Sequence, residues 1–404
     1  METLYRFAIC AFAVSVCCAC TSGEPRLLSF DHDGQRLRLV VSANDGKQLE
    51  RGQGPQDRTA DSVAVIDFTQ YPPKTLGTVL APAGLIGPPV SVAVSIDQKL
   101  ALVTASVKVD PSDANKLIPD DSLSVIDISS PTHPAVVQSL HTGAGAEGVA
   151  INRAGTLALV TNTTEGTVSV FSIARRQLMP LSKIMLEAGS RPASAEFLAN
   201  GKIALVVCQG SSKIVRLSID GTKVIKVGET SLDAKNPSLA LPIKDGSLVI
   251  VNGNGPARPK GTARPTLRDN KVSIVDLSTG KIVSTTDLGP GDENIGLSPD
   301  GKYLEATVTN GSHSAPTAPD FHDFGLMKIF RVNNASITPV AEVKTGHWCQ
   351  GAIWSDDDHA ILLQCATEKE IEVFHFDGKK LTQNFGANLK FAADPVGIAT
   401  STSH

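Results

Sequence analysis

Residues 272–281 read VSIVDLSTGK and residues 298–302 read SPDGK, and both phrases return along the chain with their apolar positions kept. SVAVIDF begins at Ser62, LSVIDIS at Leu123, VSVFSI at Val168 and MKIFRV at Met327. Apolar and polar residues alternate at period two, which gives an extended strand one apolar face. SPDGK is a tight turn between two such strands. Aligning on it yields seven hairpins, at 27–41, 90–104, 147–161, 193–207, 238–251, 293–308 and 350–364. A third alternating run follows each, opening at Val63, Leu123, Val168, Ile214, Val272, Met327 and Ile371, and a short fourth run usually follows that.

Four strands recurring at roughly 40–55 residues mark propeller blades. One blade cannot bury both faces of its own sheet, so the ring must close. The expectation is an all-β chain: a single seven-bladed β-propeller of four-stranded antiparallel blades over residues 21–404. DPVGIAT (394–400) starts an eighth hairpin that never turns. It reads as the inner strand of the first blade, so that the N- and C-terminal segments close the ring together.

The chain carries 37 Lys and Arg against 41 Asp and Glu, a net charge of −4. Nucleic acid needs a basic face, so it is excluded as a partner. Residues 7–19 (FAICAFAVSVCCA) are small or apolar throughout. That run is too short to span a bilayer and fits the apolar region of a signal peptide over residues 1–20. Read as a buried first strand, it would lack a turn partner. The expected location is therefore the periplasm or the exterior, with no membrane span in the mature chain. Cys20 after Ala19 matches the end of a lipoprotein signal and would allow a lipid anchor, although Cys17 and Cys18 fit that pattern poorly. Cys208, Cys349 and Cys365 remain after the leader, without the paired spacing of a zinc site.

The short turns lie on one face of the ring, and every long insertion falls on the other: 44–60, 106–120, 253–269 and 309–324. Elaborated loops on a rigid scaffold tend to carry function, although insertions are also tolerated as decoration. Inner strands begin at this elaborated face. Counting back from each turn places Val90, Glu147, Ala193, Ser238, Glu293 and Gln350 at the channel mouth, with Val396 from the closing strand. Arg191, Asn236, Trp348 and Asp394 stand two residues further out, with His347 beside Trp348. Carboxylates, an arginine and a histidine around one concavity suit a small polar or anionic ligand, or acid–base chemistry. Propeller channels are also water-filled, and a glutamate at such a mouth is often merely solvated.

These phrases resemble the YVTN-type seven-bladed propeller family, which includes lactonase-like cycloisomerases and many exported bacterial proteins. The resemblance covers about residues 26–400. It implies a channel site of histidine, arginine and glutamate, for which Arg191, Glu147 and Glu293 are the counterparts by position. The histidine phrase expected before an inner strand is replaced here by GAGAEGVA (143–150).

Two readings stand. The first is an exported, monomeric propeller binding a small ligand or an envelope protein through its elaborated face, Asn236, Gln350, Trp348 and Asp394 contributing. The second is a lactonase- or cyclase-like enzyme using Glu147, Glu293, Arg191 and His347. No cofactor is required. His313, Asp320, His322 and Asp323 cluster in one insertion, but without the spacing of a metal site. The basic loop ARPKGTARPTLR (257–268) could dock an acidic partner or the anionic bacterial surface, or be a solvated, poorly ordered loop. The chain has no GxSxG elbow, and GNG (253–255) is not followed by a helix, which removes the common serine-hydrolase and phosphate-loop signatures. Cys349 and Cys365 flank the last hairpin within one residue of directly opposite, which allows a disulfide in an exported chain. Cys208 is left free and buried.

Overall fold

The structure is a computed structural model and describes residues 38–49, 52–84, 88–253, 269–333 and 335–401. The leader, the first arm of the 27–41 hairpin and the basic loop 257–268 lie outside the described residues.

Seven antiparallel sheets make seven blades. Their inner strands are Asp394–Thr400, Val92–Val94, Ala146–Ile151, Pro192–Phe197, Pro237–Ile243, Asp292–Leu297 and Cys349–Trp354. Each touches the inner strand of the next blade, and the last returns to the first, so the ring is closed. Blade one is joined from both ends of the chain: Asp394–Thr400 pairs with Leu39–Asp45, from Val40 opposite Thr400 to Asp45 opposite Asp394.

The SPDGK turn explains the repeat at atomic level. The Ser298 hydroxyl donates to Asp300 and accepts the Tyr303 amide, and Asp300 accepts the Lys302 amide. Gly301 sits at φ 69°, where a side chain is disfavoured. Gln98 and Asp358 adopt the same sign of φ in the matching turns of blades two and seven.

Burial follows strand position. Second strands such as Leu157–Asn162 and Ala360–Cys365 are buried at every residue, because neighbouring blades cover both faces. Outer strands alternate, as in Ala135–His141, with one face in water. The core therefore lies between blades. Leu159 and Val170 of blade three pack with Val206 and Leu217 of blade four, and Met327 of blade six packs with Leu363 and Phe374 of blade seven.

The 106–120 insertion is not a loose loop. It prolongs two strands of blade two, Leu100–Asp110 and Asp113–Asp127, into a hairpin arm in which Val107 pairs with Pro119 and Val109 with Leu117. Arg58 of the 44–60 insertion reaches this arm at the Ala114 carbonyl.

Cys349 lies opposite Cys365, and the two are joined as a disulfide, while Cys208 is free and buried. The bond spans 16 residues of sequence. A link of that length restricts the unfolded chain enough to contribute about 3 kcal/mol. Replacing both cysteines with serine is expected to lower the melting temperature by a few degrees. An unchanged melt in non-reducing buffer would show that the link contributes nothing.

Candidate functional site

The residues at the channel mouth are set by one repeated irregularity. In blades three to seven the inner strand carries a bulge at its start, between Ala146 and Val149, Pro192 and Ser194, Pro237 and Ala240, Asp292 and Asn294, and Cys349 and Ala352. Glu147, Ala193, Ser238, Glu293 and Gln350 all fall within these bulges. A bulge adds an unpaired residue and re-aims its side chain. The residue two positions before each of these has positive φ in all five blades: Gly145, Arg191, Asn236, Gly291 and Trp348. Arg191 and Trp348 are held there against the ordinary preference of bulky residues. Polar side chains then tie four of the inner strands to the preceding blade. Thr104 donates to the Glu147 carbonyl, Thr161 to the Ala193 carbonyl, Ser194 to the Ser238 carbonyl and Gln364 to the Gly397 carbonyl.

The sequence-derived site residues fall into separate groups. Glu147 is 2% exposed. Burial pushes its carboxyl up to about 7, against a hydrogen bond from Thr163 and the positive charge of Arg191. Arg191 itself is exposed. Glu293 occupies the corresponding position in blade six, half-buried, and burial alone pushes it to about 8. No polar contact joins the two glutamates among the described residues.

His347 stands with neither. Its Nδ1 lies 2.6 Å from Glu368 and its Nε2 3.0 Å from Asp323. Burial works against the imidazolium, but these two carboxylates outweigh it and raise the pKa. His347 thus favours its protonated form and links the 309–324 insertion to blade seven through Asp323 and Glu368. Trp348 stacks on His313 of the same insertion, ring centroids 4.1 Å apart, and its amide donates to Ser312. His322 contacts the Asn310 carbonyl and Asp320 accepts from Ser314, so the four acidic and histidine side chains of this insertion face different partners. Gln350 is buried, Asn236 is half-buried, and Asp394 is buried 3.7 Å from Lys369.

Below the mouth the channel is a cavity of about 220 Å³ walled by the inner strands of all seven blades. Its lining is chiefly aliphatic, with Val90, Val149, Leu241, Leu297 and Ile353 among the wall residues and Trp354 beside them. Among the described residues of the wall, Glu196 is the charged one. It is half-buried, and desolvation pushes it up to about 7. Behind the wall Glu305 is fully buried and pushed up to about 8, a Thr307 hydrogen bond opposing the effect of burial. Sequence reasoning missed both. The signal was there: Glu196 in ASAEFLANGK and Glu305 in KYLEATV each interrupt an apolar strand with a charge.

No protein-family profile matches the chain, and no curated protein does. Solved structures do resemble it. A candidate 6-phosphogluconolactonase from Bacteroides fragilis aligns at TM-score 0.66 and 16% identity, over 92% of this chain and 99% of that one. A functionally unknown protein from Desulfotomaculum acetoxidans aligns at TM-score 0.62 and 14% identity, over 90% and 98%. A hypothetical selenium-binding protein from Sulfolobus tokodaii aligns at 0.60 and 11% identity, over 90% and 93%. At these identities the likeness carries the fold: the chain is similar to seven-bladed propellers, lactonase-like ones among them.

Proposed function

We propose that the protein is an exported ligand-binding propeller whose central tunnel holds one small molecule with a largely apolar body, admitted from the elaborated face. Export rests on the leader at residues 1–20. The observation that carries the binding reading is the 220 Å³ tunnel with an aliphatic wall and a carboxyl group set into it. Pockets of this kind, apolar with few polar groups, are the usual form of small-molecule sites. A 150 Å³ apolar cavity takes up benzene, so this one has room for a ring with a short chain.

The test is a binding screen by tryptophan emission, Trp354 being part of the wall, and by thermal shift, with aromatic alcohols, sugar lactones and organic acids. Ile151→Trp, which fills the tunnel from a half-buried wall position, is expected to abolish binding, whereas Glu147→Gln/Glu293→Gln is expected to retain it. The opposite pattern would move the site to the mouth.

A second reading, a lactone hydrolase or isomerase at the mouth, is favoured by Glu147, whose near-neutral carboxyl beside the Arg191 charge suits a general base. The candidate lactonase among the similar structures is in keeping with it. On this reading turnover rises with pH to a plateau above about 7, as Glu147 loses its proton, and Glu147→Gln lowers it about 100-fold or more. A flat pH profile, or a fully active Glu147→Gln, would discard it.

A further inference from the structure

The charge of the tunnel ligand can be read from the wall, provided the tunnel is the ligand site as proposed above. Glu196 lines the tunnel and has no hydrogen bond or ion pair among the described residues. Among the described residues the tunnel lining holds no Lys, Arg or His, and Arg153 stands in the adjoining hollow that Glu196 also borders. A second carboxyl stands just behind. Glu305 uses one oxygen to accept from Thr307, while its Oε2 is buried without a partner among the described residues. That oxygen faces Gly296, a wall residue: a methyl group placed on Gly296 would lie 3.3 Å from it. Gly296 therefore lines the tunnel and puts no side chain against the unpartnered oxygen.

A buried carboxyl group without a counter-charge is costly to keep, and here one buried and one half-buried carboxyl border one apolar space. A cation in that space would satisfy both. Coulomb attraction in a low-dielectric wall is several times that in water, and it falls off slowly enough to include a group one backbone layer away. An anionic guest within the tunnel would meet two carboxyls and, among the described lining residues, no base.

We propose that the tunnel receives an organic ammonium ion, its charged head at Glu196 with Glu305 behind it and its apolar body along the aliphatic wall.

Three probes of nearly equal shape separate the possibilities: phenethylammonium, 2-phenylethanol and 3-phenylpropionate, titrated into the purified protein by calorimetry and tryptophan emission at pH 8.5, where Glu305 as well as Glu196 is mostly ionised. The ammonium is expected to bind at least tenfold tighter than the alcohol, with the carboxylate weakest. Glu196→Gln is expected to erase most of that preference by weakening the ammonium far more than the alcohol. Glu305→Gln, which leaves the tunnel lining intact, is expected to reduce the preference severalfold. Alcohol and ammonium binding alike would overturn the charge assignment and leave the tunnel reading standing, as would a preference that survives Glu196→Gln. Carboxylate binding best would overturn it outright. Failure of all three probes would overturn the tunnel reading itself, and the charge assignment with it.

Discussion

Glu305→Gln is expected to raise the melting temperature by several degrees at pH 9 and to change it little at pH 5. In the fold the Glu305 carboxyl keeps its proton to about pH 8, while in the unfolded chain it loses it near the ordinary glutamate value of about 4.3. Between those values the folded state binds the extra proton, so stability falls as pH rises from about 4.5 to about 8 and then levels off. A gap of about 3.5 pH units at about 1.4 kcal/mol each gives a penalty on the order of 5 kcal/mol, fully present at pH 9. Glutamine has the same shape and carries no such penalty. Glu147, Glu196, Glu293 and Glu372 are raised in the same direction, so the variant keeps a shallower version of the same slope. Thermal melts of both proteins at pH 5, 7 and 9 decide the matter. Parallel curves would mean that Glu305 ionises in the fold without difficulty.

Ending the chain at Ala393 is expected to abolish cooperative folding. The lost strand is the inner strand of blade one and the sheet neighbour of Leu39–Asp45, which is buried along its whole length. Val396 and Ile398 leave the core, Thr400 no longer donates to the Leu39 carbonyl, and Gln364 loses its acceptor at Gly397. Blades two and seven are then left facing a gap, since the inner strands of both touch the missing one. A repeat ring that cannot close exposes the apolar faces of its end units and an open strand edge. Aggregation, or a broad melt without a transition, is the expected result by circular dichroism and light scattering. A sharp melt within about 5 °C of the full chain would show that closure is dispensable, against the behaviour expected of stacked repeats.

The architecture was legible because it rests on local chemistry repeated many times: period-two alternation, and a Ser–Asp–Gly turn whose hydrogen bonds are internal to six residues. The site was less so. The position of His347 suggests an acid or base, but its partners Glu368 and Asp323 come 21 and 24 residues away in sequence, and no spacing rule announces them. The 106–120 stretch shows Val107 and Val109 in alternation, yet its Asp, Ser, Asn and Pro content masks a hairpin. Glu196 and Glu305 were visible as charges inside apolar strands. Their meaning depended on which strand neighbours the tunnel and on Gly296 lacking a side chain, and only the folded ring supplies that.

The mouth bulges have a consequence for how such a chain can change. A residue inside a bulge takes no part in the ladder, and the turn before it is formed by a neighbour's backbone. Side chains at 147, 193, 238, 293 and 350 can therefore be exchanged one at a time without breaking the ladder, the four buried ones only for replacements of similar size. The rim behaves like a keyboard with five keys on a fixed frame. New binding preferences could be selected there by mutation, in evolution or in a library, while the ring beneath stays the same.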